Sequence, residues 1–249
     1  DEAEVAFLEA AQAGDNWSLT ARVNLAQLMF DQGRIDEAMQ RFDEFIDLYN
    51  QANGRLGPRD LVAVARAVEA LGRNNPDLFQ DALRAFDEAI SLDPSWLEAR
   101  VRLGNLFLKK YDSPSAQEEY YVALAANPNH PQALLGLAKA LEFDGTGDAT
   151  GVLQQLLKIN PNNVEAHVLL ARRYLTREGH AEGREHAEMA LAVNPVSLPA
   201  LTALAGSHMV AGDMEAFSDV RNQVLAINPR YAEMDASLAC LLYTSPSPR

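Results

Sequence analysis

The chain has 249 residues, 48% hydrophobic and 22% charged, enough apolar material for a core and too much for a disordered segment. Its formal net charge is −14, with eleven acidic against three basic residues in the first fifty. Such a surface repels phosphate backbones and anionic lipid, so neither a nucleic-acid partner nor membrane insertion is expected. No apolar run approaches the ~18 residues of a membrane-spanning helix. The single cysteine, Cys240, leaves no internal disulfide and no thiolate metal cluster.

Alanine and leucine dominate and β-branched runs are scarce, which favours helix throughout. Five dipeptides punctuate the chain: Asp93-Pro94, Asn127-Pro128, Asn160-Pro161, Asn194-Pro195 and Asn228-Pro229, spaced by 34, 33, 34 and 34 residues. Proline lacks an amide donor and drives the preceding residue out of helical geometry, so each pair stops a helix. Capping-box spacing in Ser95/Glu98, Asn129/Gln132 and Asn162/Glu165 announces the next helix, and Pro131 and Pro199 suit first turns. Between Pro94 and Pro128, Ala99, Leu103, Gly104 and Phe107 form one helical stripe. Asp112-Ser113-Pro114 makes a turn, and Ala116, Tyr120 and Ala123 form a second stripe. Neither face is wide enough to stand alone, so each helix must pack on its neighbours.

This pattern resembles the tetratricopeptide repeat, a 34-residue helix–turn–helix with small residues at helix crossings and a terminal proline. Leu103, Gly104, Phe107, Ala116, Tyr120, Ala123 and Pro128 carry the resemblance most fully. It implies an all-α fold, a right-handed superhelical α-solenoid of hairpins whose first helices line a concave groove. In chain order, residues 1–15, with Ala3, Phe7 and Ala10, look like the second helix of a truncated repeat. Six repeats follow over 16–229: 16–50, 58–94, 95–128, 129–161, 162–195 and 196–229. The sixth, with Leu204, Ala205, His208, Phe217, Val224 and Pro229, has a large residue where the small Ala is usual, which predicts looser packing in the last hairpin. Two polar stretches, Gln51–Gly57 and Arg73–Asp77, read as loops. Residues 230–242 begin another first helix, and 243–249 form a tail. From Cys240 that tail resembles translated adaptor sequence; with a half repeat at each end, the chain reads as a piece of a longer protein.

No glycine-rich phosphate loop or nucleophile elbow occurs. His180 and His186 are six apart, not the i, i+4 pair of a zinc helix. His167 and His208 fall at large packing positions, and acidic pairs such as Glu118-Glu119 read as solvated surface. No enzyme activity, metal or cofactor is expected. The resemblance instead points to first-helix positions that face the groove. The ninth position of repeats two to five holds Arg66, Asn105, Lys139 and Arg172, a polar, mostly basic row. The fifth position holds Val62, Val101, Leu135 and Val168, an apolar floor where the family's carboxylate clamp would have lysine. The expected function is a protein–protein interaction scaffold that holds a protein or peptide segment, an acidic one by charge. A second reading is a docking arm of a larger bacterial envelope enzyme of metallopeptidase type, on a weaker likeness of residues 81–108 to repeat regions that precede such domains.

Overall fold

The computed structural model describes residues 2–12, 18–73, 75, 77–145 and 147–244. The expected start of the chain at Asp1, residues 13–17 at the first repeat boundary, Asn74 and Pro76 of the second loop, and tail residues 245–249 lie outside them. Among the described residues there are fourteen α-helices and no strand. No helix among them is long and apolar enough to cross a membrane. Contacts divide the chain into two compact units, Asp1–Pro128 and Asn129–Arg249, so the division falls at one of the Asx-Pro stops. The first unit holds α1 (Glu2–Gln12), α2 (Ser18–Asp31), α3 (Ile35–Ala52), α4 (Pro58–Leu71), α5 (Leu78–Leu92), α6 (Leu97–Lys109) and α7 (Ser113–Ala126). The second holds α8 (Pro131–Asp144), α9 (Ala149–Ile159), α10 (Val164–Leu175), α11 (His180–Val193), α12 (Leu198–Ala211), α13 (Met214–Ile227) and α14 (Ala232–Thr244). In the first unit α2–α3, α4–α5 and α6–α7 pack as hairpins, and in the second α8–α9, α10–α11 and α12–α13 do so.

The helix boundaries follow from local chemistry. At each of four stops the Asx side chain folds forward and accepts the amide two residues on. The bonds are Ser95 N–H to Asp93 at 3.0 Å, Asn162 to Asn160 at 3.2 Å, Val196 to Asn194 at 3.2 Å and Arg230 to Asn228 at 3.0 Å. The same Asx residues donate their own N–H to the last turn of the finishing helix, as Asp93 does to Ala89 O at 3.0 Å. This Asx turn occupies two residues after the stop, so the next helix begins one residue later than the capping-box spacing suggests. In the capping bonds Ala133 N–H donates to His130 Nδ1 at 3.3 Å and Ala166 N–H donates to Asn163 Oδ1 at 2.9 Å. Trp96, which has no side-chain cap, opens α6. The three expected capping boxes are therefore displaced by one position. The first inter-repeat loop is also shorter than expected. With no proline to stop it, α3 runs through Gln51 and Ala52 and ends at Asn53 in the left-handed region, φ +50.

Small residues recur where the first helices meet their partners. Ala26, Ala65, Ala138, Ala171 and Ala205 are wholly buried, and Gly104 takes the same place in α6. A Cβ on Gly104 would stand 2.7 Å from Tyr120 Cε1 and 3.2 Å from the Ala116 carbonyl oxygen. Its absence leaves room for the fully buried Tyr120 ring of α7 against α6. In the first unit Phe42, Phe45 and Phe86 are likewise buried from the second helices, in one continuous core that runs from Leu19 to Leu106. The helix α13 buries only Val220 and Val224. In the hairpin α10–α11, His167 and His186 meet edge to edge, Nδ1 to Nδ1 at 3.0 Å, while His167 Nε2 reaches the Pro161 carbonyl at 2.8 Å. That carbonyl only accepts, so His167 carries its proton on Nε2 and its Nδ1 accepts from His186 Nδ1–H. Tyr174 stacks on His186 with centroids 5.6 Å apart.

This packing makes two outcomes measurable. Gly104→Val forces the Tyr120 ring off α6 and should destabilise the protein by about 1–3 kcal/mol, read as a lower urea midpoint. The His186 pKa lies below its ordinary 6.5, first because burial disfavours the charged ring and then because His167 is beside it. The unfolded chain thus takes up this proton more readily than the folded one. The stability at stake is fully present above about pH 6.5 and is lost as pH falls through the lower folded value. The urea midpoint should drop between pH 7.5 and 5.5, and His186→Gln should make that drop smaller; an equal drop in the variant would show that His186 is not its source.

Candidate binding site

First helices lie side by side within each unit: α2 on α4 in the first, and α10, α12 and α14 in the second. In the second unit they enclose an open cavity of about 420 Å³. Val164, Val168 and Arg172 enter it from one face of α10 at i, i+4 and i+8. Thr202 and Ala203 of α12 form another wall, and Tyr231, Glu233 and Ser237 close the third side. Val168 is 6% exposed and forms part of the floor, whereas Arg172 is exposed beside it. Tyr231 donates its hydroxyl hydrogen to Glu233 Oε2 at 2.9 Å. Burial, and then this bond to a carboxylate, push its phenol up to about 12, against the opposing pull of the nearby Arg172.

The structure brings some of the expected groove residues together and keeps others apart. Val168 and Arg172 share the cavity. Lys139 of α8 forms an ion pair at 2.5 Å with Glu165 of α10, itself a cavity residue, so its charge is already matched. Leu135 is half-buried and lies outside the cavity. In the first unit Val62 and Val101 are each 4% exposed. Their methyl groups are largely consumed by the core and offer little surface to a ligand. Asn105 accepts the Tyr120 hydroxyl on its carbonyl oxygen at 2.8 Å, leaving its amide hydrogens to donate. Arg66 is half-buried, and its guanidinium is pushed down to about 10, first by burial and then by the neighbouring Arg102.

Several polar residues at these faces were not singled out by sequence reasoning. Arg102 precedes Asn105 by one turn of α6 and so shares its face, a relation that helical spacing could have shown. Tyr231 and Glu233 belong to the half repeat at the end of the chain, where the repeat register marks only apolar positions. Among the described residues no group of three or more His, Cys, Asp or Glu side chains could hold a metal ion.

Comparison with known proteins bears on the fold. The tetratricopeptide repeat family profile matches residues 20–51. No curated protein sequence matches the chain. Among solved structures the chain is similar to TTC0263, a thermophilic tetratricopeptide protein of Thermus thermophilus, at 20% identity and a TM-score of 0.60. That match covers 75% of this chain and 100% of that one. Similarity to PilF of Pseudomonas aeruginosa has a TM-score of 0.64 at 13% identity, over 89% of this chain and 96% of that one. YrrB, a tetratricopeptide protein with an unusual peptide-binding site, matches with a TM-score of 0.53 at 16% identity, over 78% and 96% of the two chains. At these identities the likeness establishes the fold.

Proposed function

We propose that this chain, a tetratricopeptide-repeat protein, is a protein-interaction scaffold that holds a segment of a partner against its first helices and catalyses nothing itself. The observation that carries this reading is the cavity of the second unit. Three successive first helices build it, it is open to solvent, and it joins an apolar floor at Val164 and Val168 to an exposed cation at Arg172. An apolar site with a few placed polar groups is what a peptide side chain needs for affinity and orientation. Arg172, Asn105 and Arg66 supply polar groups on the first-helix faces of the two units, Lys139 is held by Glu165, and of the apolar row Val168 supplies the cavity floor while Val62 and Val101 serve the core. Arg172 and Arg66 are not held by a carboxylate among the described residues, which favours an acidic partner segment. A scaffold of nearest-neighbour hairpins needs no moving catalytic parts to do this.

The test is a photo-cross-linking residue at Thr176, which lines the cavity, compared with one at Glu188, exposed on α11. The same partner protein should be captured from Thr176 and not from Glu188. Arg172→Glu should cut the Thr176 yield about tenfold, the size expected for reversing one charge at a binding rim. Equal capture from both positions, or a yield indifferent to Arg172→Glu, sinks the reading.

A further inference from the structure

The cavity of the second unit carries two hydroxyls of α12 that the charge and apolar floor around them do not account for. Ser197 and Thr202 are both more than nine-tenths buried, and both line it. Ser197 stands at the N-cap of α12, yet its side chain caps nothing. One repeat earlier Asn163 holds the equivalent place and accepts the Ala166 N–H at 2.9 Å. The Ser197 hydroxyl has no other partner among the described residues, so its hydrogen is free to donate within the cavity. A buried hydroxyl without a bond lowers stability until something brings it an acceptor. Thr202 is placed the other way. Its hydroxyl donates to the Leu198 carbonyl at 2.8 Å, so toward the cavity it can only accept.

The charges of the lining decide what can sit against this pair. A helix N-terminus ordinarily attracts an anion. Here Pro199 removes one of the first-turn amides that would face it. The lining also holds two carboxylates, Glu165 and Glu233, beside the single guanidinium of Arg172. Lys139 matches Glu165, which leaves Arg172 and Glu233 to cancel. A cavity without net charge, with an unused donor and an unused acceptor on one wall, suits a group that is neutral and carries both. The peptide backbone is such a group.

We propose that Ser197 donates its hydroxyl hydrogen to a main-chain carbonyl oxygen of the bound segment, and that Thr202 accepts a main-chain N–H from the same segment. The wall formed by α12 then holds the backbone, while the floor at Val164 and Val168 meets a side chain. The proposal rests on the scaffold reading, since a segment must lie in the cavity.

The probe is acetyl-Ala-Leu-Glu-Leu-Ala-amide, with its Gln counterpart and four analogues in which one bond between residues is an ester. An ester weakens its carbonyl as an acceptor and removes one N–H. Binding to the full chain is followed by the NMR shift of the Thr202 backbone amide. One ester should bind about fivefold less tightly than the parent, the scale of one neutral hydrogen bond, and that penalty should vanish in Ser197→Ala. A second ester should show a penalty that vanishes in Thr202→Val. The unliganded Ser197→Ala protein should keep its melting temperature, because the hydroxyl bonds nothing in the fold. No shift with any peptide, esters that bind as tightly as the parent, or penalties that persist in both variants would overturn the proposal. So would a clearly lower melting temperature in Ser197→Ala, which would give the hydroxyl a capping role. A Glu-over-Gln preference that disappears in Ser197→Ala would also overturn it, by putting a carboxylate at the hydroxyl. Capture from Thr176 alongside a failed ester test leaves the scaffold reading standing and removes this inference alone; no capture from Thr176 removes both.

Discussion

The close approach of neighbouring helices at residues with little or no side chain is the constraint on which the rest of this protein depends. None of its helices carries an apolar face wide enough to be stable alone, so each must meet two neighbours at once. Helix axes come within packing distance only where little stands between them. Ala26, Ala65, Ala138, Ala171 and Ala205 provide that in five hairpins, all wholly buried. In α6 the requirement is stricter, because Tyr120 crosses where the others present smaller groups, and only glycine at 104 leaves room for its ring. The same crossing ties Tyr120 to Asn105. One packing decision in the core thereby fixes the orientation of a polar side chain on the first-helix face.

That packing also decides which first-helix residues remain available to a partner. Val62 and Arg66, Val101 and Asn105, Leu135 and Lys139, and Val168 and Arg172 are each four apart, so the two rows are neighbours on one helical stripe. Side-by-side first helices bury much of that stripe. Short β-branched side chains cannot escape it, and Val62, Val101 and Val168 end at 4%, 4% and 6% exposure. Longer side chains one turn on can bury their stems and still carry polar ends outward. The apolar row therefore acts mainly as core, with a contribution to a ligand surface only where a cavity opens beside Val168.

The punctuation of the fold was legible in the sequence because its causes are local. An Asx-Pro pair stops a helix through proline's missing donor and turns the chain through the Asx side chain, and both effects act within three residues. The one-residue displacement of the helix starts arose from that same turn, whose length capping-box spacing ignores. No proline marks the end of α3 at Ala52; a left-handed Asn53 ends the helix instead. The polar site was less legible. The pairs Lys109–Glu69 and Lys139–Glu165 join residues 40 and 26 apart, and the contact of His167 with His186 spans 19. Such contacts depend on how side chains of separate helices meet, which a repeat register places only approximately.

The distribution of charge among the four ninth-position residues separates them in a way that residue type does not. Lys139 is matched by Glu165, and Asn105 has its acceptor occupied by Tyr120. Arg172 keeps an exposed guanidinium at the edge of a cavity, where water supplies most of its solvation. Arg66 is half-buried with no carboxylate bonded to it among the described residues, and burial pushes its guanidinium down to about 10, with the charges of Glu98 and Glu69 acting against that shift. A charge in water is kept at little cost, so Arg172 alone would say little about selection. A half-buried unmatched charge lowers stability, and replacement by a neutral side chain of similar length would relieve it. Arg66 is therefore kept at a higher cost than the more accessible Arg172.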